Sequence, residues 1–529
     1  MRNRRIAVVA CVGVFCALIV RSAPAAALPG ERQLLAVPSI GTHPPGGGDL
    51  TSISKFTLGP SGSLVVSANW RVPSGGGVLN GGGAWLLDGG VLTEVAREDG
   101  EVSGFPGYVY SFLSSVGSGK SGEALVSAEL FSVLSAPRTV GLWRVRSGQS
   151  ELLLQMDAAA PGLSDGSLLG GGNASNSAFD FGAIDRFGRT VVKTAIHGPA
   201  VDPNVNGSIA YWFDGSSFQK ILRTGDLVDG VSSPVTSMSA RFTSREGRSV
   251  FSVSTGVSSQ SRHVFEFDGA ALAPVIIDRT AAPGLGGLLF VSPSAQAMSP
   301  GGTIAIYSGL TGPSAQNSAI WRRVDGVISL AARESQTIAS PAGWTMRAID
   351  NGGIAVLNPI AINDPGDCVF LTAAGPGSDQ KRALCLADAG GVRVLFRDQD
   401  PRPGGGQFLL TGASATPIAE INRVGCVAFS LDDAVFSYIP GVGLERIAGP
   451  GDTFEVLPGL FQTILFAKLG NSIGSNSINA TGLLDNGDLY YLVGFTGGSA
   501  IFRTTVPAPG VLLAAGAAAS LLTIRRRRV

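Results

Sequence analysis

Asn422-Arg423-Val424-Gly425-Cys426-Val427-Ala428-Phe429 is a four-residue turn that runs into an apolar strand. Asn opens a type I turn by bonding its side chain to the backbone that follows, and Gly closes it at positive φ. Val and Phe then suit a pleated, buried surface. The pattern recurs down the chain. Its closing glycine appears at Gly62, Gly122, Gly188, Gly247, Gly302, Gly366, Gly425 and Gly487, at intervals of 60, 66, 59, 55, 64, 59 and 62 residues. Three residues earlier stands Asp185, Ser244, Ser299, Asn363 or Asn422, whereas the last unit is read as shifted by one, with Asp485-Asn486-Gly487 in the turn.

A second anchor keeps step with the first. An aromatic residue precedes a Gly-containing hairpin: Trp85 before Asp88-Gly89, Trp143 before Gly148, Trp212 before Asp214-Gly215, Phe265 before Asp268-Gly269, Trp321 before Asp325-Gly326 and Phe436 before Gly441. Asp-Gly between two apolar runs is a strong hairpin signal. Each period therefore holds four strands. Four-stranded units repeating at this length read as blades of an all-β propeller, with about eight blades and seven as the alternative count. The repeat starts mid-pattern with Gln33-Leu34-Leu35-Ala36-Val37 and stops mid-pattern with Ala500-Ile501-Phe502-Arg503. Pairing of these N- and C-terminal strands would close the ring and remove an exposed sheet edge; an open array is the alternative.

The units resemble bacterial surface proteins built from tandem Asn-x-x-Gly-x-x-Ala-Phe repeats, a family that carries one of several alternative membrane anchors. Asn422 to Phe429 matches that pattern in full, and Asn363 to Phe370, with Gly366 at the closing position, matches with Val in place of Ala. Loops from Asp157 to Gly162, Asp278 to Gly284 and Asp398 to Gly404 recur in phase and fit the same family. The resemblance implies repeat architecture and a surface location, and no transferable activity.

The ends of the chain read as addresses. Arg2, Arg4 and Arg5, the apolar run Ile6 to Val20, and the small residues Ala25 to Ala27 describe a signal peptide over 1–27, with cleavage after Ala27. At the other end, residues 506–529 combine Pro507, Pro509 and Gly510 with an uncharged run, Val511 to Ile524, and the cluster Arg525, Arg526, Arg527 and Arg528. This tail is similar to the PEP-CTERM sorting signal, with Ala508 where that signal has Glu. The resemblance implies an exosortase-type sorting enzyme as partner and a C-terminal membrane helix whose arginines stay cytoplasmic. Residues 28–505 are then the exported repeat domain.

Charge narrows the partners. Eight of the 39 basic residues lie in the two terminal segments, leaving 31 basic against 39 acidic residues between them, a net charge of −8. Such a domain does not attract phosphate backbones, so no nucleic acid is expected. Cys368, Cys385 and Cys426 lie in strand-like runs; one disulfide is permitted, and buried free thiols are the favoured reading. His43, His197 and His263 are scattered without metal-ligand spacing, and Gly119-Lys120-Ser121 lacks the rest of a phosphate loop. Four acidic pairs, Glu98-Asp99, Asp364/Asp367, Asp398/Asp400 and Asp432-Asp433, sit in turns, where Asp is favoured for backbone reasons. No catalytic residue, metal ligand or cofactor is assigned. The expected function is a non-catalytic binding or scaffold module for polysaccharide or envelope proteins, held at the cell envelope; the alternative is an exported carbohydrate-active propeller enzyme.

Overall fold

The computed structural model describes residues 32–34, 39, 42–43, 47–59, 62–74, 77–102, 105–119, 122–132, 139–171, 179–256, 261–313, 317–347, 361–410, 417–470 and 482–506. Every regular element among them is a strand. The signal segment 1–27 and the tail 507–529 lie outside the described residues, as do Lys120 and Ser121; among the described residues no helix is long and apolar enough to cross a membrane.

The strands form eight antiparallel sheets. Blade 1 is Asp49–Leu58, Leu64–Ser74, Gly77–Asp88 and Val91–Arg97; blade 2 runs from Tyr108 to Gln155, blade 3 from Leu168 to Arg223, and blade 4 from Val235 to Ile276. Blade 5 spans Phe290–Arg333, blade 6 Thr345–Arg397, blade 7 Ile418–Ala448 and blade 8 Thr453–Thr505. Within a blade the strands pair in chain order, and first strands of neighbouring blades approach one another around the axis. In blades 3 and 6 the first strand comes in two pieces, Leu168–Leu169 with Asp180–Phe181 and Thr345–Met346 with Ala361–Ile362, both paired to the second strand.

Eight apolar cores hold the blades together, one at each junction. Leu125 and Leu142 of blade 2 pack with Val192 and Tyr211 of blade 3, for example, and Val369 and Leu384 of blade 6 with Phe429 and Phe436 of blade 7. The junction of blade 8 with blade 1 has its own core, in which Tyr490, Leu492 and Ile501 meet Leu50, Val66 and Trp85. The molecule is therefore an eight-bladed, closed β-propeller.

The termini make the closure. Blade 8 has an extra arm, Thr453–Leu457, paired to its first strand Leu460–Leu469, and its fourth strand is Arg32–Leu34, which pairs with Gly498–Thr505 in the register Arg32↔Thr504, Gln33↔Arg503, Leu34↔Phe502. Ser39 extends the seam, its amide donating to the Ser499 carbonyl and its hydroxyl accepting from the Ser499 amide. Residues 35–37 of the expected strand lie outside the described set.

All eight anchor glycines have positive φ, between 72° and 94°. In the turn of blade 7 the Gly425 amide donates to the Asn422 carbonyl, and Asn422 Oδ1 accepts from the amides of Val424 and Cys426. Asp185, Ser244, Ser299 and Asn363 do the same work in their own blades. The last unit is a correction: it is not shifted, because the Gly487 amide donates to Leu484, which takes the Asn position without a capping side chain.

The aromatic anchor also stands where the repeat places it, with one correction. The residue four past the glycine faces a third-strand partner turned towards the preceding blade: Val66↔Trp85, Val126↔Trp143, Phe251↔Phe265, Ile306↔Trp321, Phe429↔Phe436. In blade 3 that pair is Val192↔Tyr211, so Tyr211 is the anchor and Trp212 points the other way, into the core shared with blade 4. Gly141 explains how an indole fits, since a Cβ there would lie 2.2 Å from the Trp143 ring. The three described cysteines are buried free thiols; burial pushes the Cys368 thiol up to about 12 and that of Cys426 to about 11.

Candidate functional site

Antiparallel pairing in chain order gives the ring two unlike faces. One carries the anchor turns between first and second strands together with the hairpins between third and fourth strands: the turn face. The other carries the connections from second to third strand and from blade to blade: the loop face.

On the turn face, neighbouring blades are stitched to each other. Asn363 Nδ2 donates to the Asn422 carbonyl at 3.0 Å, and Asn422 Nδ2 reaches the Leu484 carbonyl at 3.4 Å. Asp364 accepts from the Gly301 amide at 2.7 Å, the Arg186 guanidinium meets Glu246 at 2.6 Å, and Arg323 bonds Glu266. Asn363, Gly366, Asn422 and Gly425 thus form a structural set rather than a site.

The acidic pairs are consumed in the same way. Glu98 accepts from the Gly82 amide at 2.6 Å, Asp367 from Asn363 Nδ2, Asp398 from the Leu410 amide at 2.7 Å and Asp400 from the Arg397 amide at 2.8 Å. Asp432 and Asp433 are the two positive-φ residues of the hairpin tip in blade 7, with Asp433 3.3 Å from Lys468. Two of the pairs meet between blades 6 and 7, where burial first and then the charges of Asp433 and Asp398 push the Asp432 carboxyl up. The histidines are equally committed. His263 is buried, bonded to Thr255 Oγ1 through Nε2 at 2.9 Å and accepting from the Asp278 amide through Nδ1; burial pulls its pKa down. His197 bonds the Gly170 carbonyl and lies 3.2 Å from Asp157, while His43 lies 2.7 Å from Asp49. Among the described residues no group of three or more His, Cys, Asp or Glu could hold a metal ion.

The first strands around the axis are rich in hydroxyls: Ser52 and Ser54 in blade 1, Ser237 in blade 4, Ser292 and Ser294 in blade 5. Charged groups are sparse among them. Lys55 in blade 1 is half-buried, and burial pulls its pKa down. Glu420 in blade 7 accepts from the amides of Gly482 and Leu483, the latter at 2.7 Å, yet burial pushes it up to about 7. Asp180 stands in blade 3, on the opposite side of an eight-blade ring from Glu420.

The loop face carries a repeated loop that the sequence reading grasped only in part. Where a fourth strand passes to the next blade, the chain takes one residue at positive φ, Asp99, Asp157, Gly225, Arg279, Ser335, Gln399 or Gly451, whose amide donates to the incoming first strand or, for Gln399, to the Phe408 carbonyl ahead of it. The Asp157, Asp278 and Asp398 loops belong to this set and join blades 2 to 3, 4 to 5 and 6 to 7. An arginine at the end of the fourth strand often fastens it: Arg223 donates to Asp165 at 2.7 Å and to the Asn206 carbonyl, and Arg397 lies 4.2 Å over the Trp344 ring. Beneath the first of these, Tyr211 OH, Thr194 Oγ1 and Arg223 Nη2 are buried without a protein partner, sealed between blades 2 and 3.

Residues 184–438 match the model of a family of unknown function, DUF7453. The matched stretch opens at the anchor turn of blade 3 and ends in the third strand of blade 7, just under half of the chain. No curated protein matches the sequence. Among solved structures, the propeller of Dos1 is 10% identical with a TM-score of 0.38, covering 90% of this chain and 94% of that one. An oligogalacturonate lyase in complex with manganese is 10% identical (TM-score 0.30; 88% and 99% covered), and Trypanosoma rangeli sialidase in complex with the inhibitor DANA 8% identical (TM-score 0.27; 91% and 60% covered). At these scores no chemistry is carried over to this chain.

Proposed function

We propose that the protein is an exported, envelope-anchored, non-catalytic module that binds polysaccharide or another envelope protein through its loop face. The division of labour between the faces carries this reading. One turn geometry is repeated around the turn face and committed to inter-blade bonds, whereas the second-to-third connections of the loop face range from two residues in blade 1 to ten in blade 3. Binding surfaces vary on a rigid scaffold in this manner. The leader at 1–27 and the tail at 506–529, with an exosortase-type enzyme as its partner, supply the location.

A glycosidase needs two carboxylates about 5–10 Å apart across its substrate. Here the carboxylates of the described first strands are Asp49 in blade 1, Asp180 in blade 3 and Glu420 in blade 7, no two of them in neighbouring blades, and Asp364, Asp398 and Asp400 of the turns are spent on backbone amides. The test is a glycan array probed with residues 28–506, followed by product analysis on every glycan retained. Binding without turnover is the expected result; release of shorter or unsaturated sugars would replace the scaffold with the carbohydrate-active enzyme.

A further inference from the structure

The two ends of the folded ring leave it at one point. Gly498–Thr505 runs from the loop face to the turn face, and Arg32 pairs with Thr504 in the same ladder. Both the leader side and the tail side of the chain therefore emerge on the turn face, at the rim of blade 8. The exit is fixed up to its last residue: Val506 is buried and its amide donates at 2.7 Å to the carbonyl of Gly487, the anchor glycine of that blade.

From Val506 to Val511, where the apolar run begins, there are five peptide steps, which span at most about 18 Å. The strand from Gly498 to Thr505 has eight residues and is about 26 Å long at the usual rise, so Thr496 on the loop face lies at least that far beyond the exit. A tether of about 18 Å cannot reach a bilayer placed against the loop face.

We infer that the anchored propeller stands with the turn face of blade 8 next to the membrane and its variable loop face directed away from it. This orientation rests on the proposed membrane attachment of the tail. It gives the two faces separate environments. The turn face, closed by its own inter-blade bonds, abuts the bilayer, while the loops are offered to polymers or proteins outside. It also places the Pro507–Gly510 motif within a few residues of rigid structure, so a sorting enzyme must work directly beneath blade 8.

The test uses the full chain with Cys11→Ala and Cys16→Ala, in which Cys368, Cys385 and Cys426 are buried. Single exposed positions are changed to cysteine: Val91→Cys and Val442→Cys on the turn face of blades 1 and 7, flanking blade 8, and Thr496→Cys on its loop face. Each is labelled with bimane and mixed with preformed phosphatidylglycerol–phosphatidylethanolamine vesicles whose headgroups carry a nitroxide quencher. The expected result is flotation with the vesicles and several-fold stronger quenching at 91 and 442 than at 496. Flotation with equal or reversed quenching overturns the orientation alone. Failure to float, when a chain ending at Val506 behaves identically, overturns the attachment and the orientation with it.

Discussion

The Nδ2 of Asn363 donates to the backbone carbonyl of Asn422, the residue that holds the same place in the next blade. Asn422 repeats the gesture towards Leu484, so the repeat motif fastens each of these blades to its successor as well as shaping its own turn. The two roles can be separated. Asn422→Asp keeps the oxygen that accepts from the Val424 and Cys426 amides and loses the donor; Asn422→Ala loses both. Urea unfolding is expected to show a loss of about 1 kcal/mol for the first and about 2–3 kcal/mol for the second, the cost of leaving buried amides unpaired. No loss for Asn422→Asp would mean that the inter-blade bond contributes nothing, and equal losses that the capping oxygen contributes nothing.

Gln33 and Arg503 face each other across the closing seam. Opposed residues of an antiparallel pair have Cβ atoms about 4.5–5.5 Å apart, within reach of a disulfide after small adjustment. Gln33→Cys with Arg503→Cys is expected to cross-link under mild oxidation and to migrate faster on a non-reducing gel, whereas either single variant does not. An uncross-linked double variant would show that the termini do not meet.

Gly141 and Gly148 test packing against backbone strain. Gly141→Ala drives a methyl group into Trp143, an overpacking expected to cost about 1–3 kcal/mol. Gly148, at φ +75°, opens onto empty space, so Gly148→Ala is charged only with the left-handed conformation, about 1 kcal/mol. Thermal melts of the two should separate them in that order.

Glu420 gives the ring a dependence on pH. Its carboxyl is pushed up on folding from 4.5 to about 7 by burial. A carboxyl raised in this way holds its proton more tightly in the folded than in the unfolded chain, so its contribution is complete below pH 4.5 and is lost as pH climbs towards 7. Glu420→Gln keeps an oxygen for the Leu483 amide and removes the titration. The difference in melting temperature between wild type and variant is expected to shift in favour of Glu420→Gln between pH 4.5 and 7 and to level off above. A flat difference would exclude the assignment.

Features that recur at fixed distance from the anchor glycine were legible before any coordinates: the blades, the turns, the closing pair. What escaped reading depends on which side of a strand a residue occupies. Tyr211 and Trp212 are adjacent aromatics, and only the register Val192↔Tyr211 decides which of them faces blade 2. Leu484 gives no hint of a turn because its blade keeps the backbone geometry without the side chain that announces it elsewhere. Glu420 looks like any strand Glu in the sequence, since its environment is made by Gly482 and Leu483, about sixty residues on. The loop-face turn was half seen, because its positive-φ position is filled by Asp, Gly, Arg, Ser or Gln and has no single letter to follow.

Closure by Arg32–Leu34 also sets a clock. These are among the first residues of the domain to be made, and their partners Phe502–Thr504 are among the last. Every other strand finds its neighbour locally, but this pair must close a loop of nearly the whole chain, the kind of long-range contact that slows folding. The ring therefore cannot close until Gly498–Thr505 has been made, and its closure marks the domain as complete.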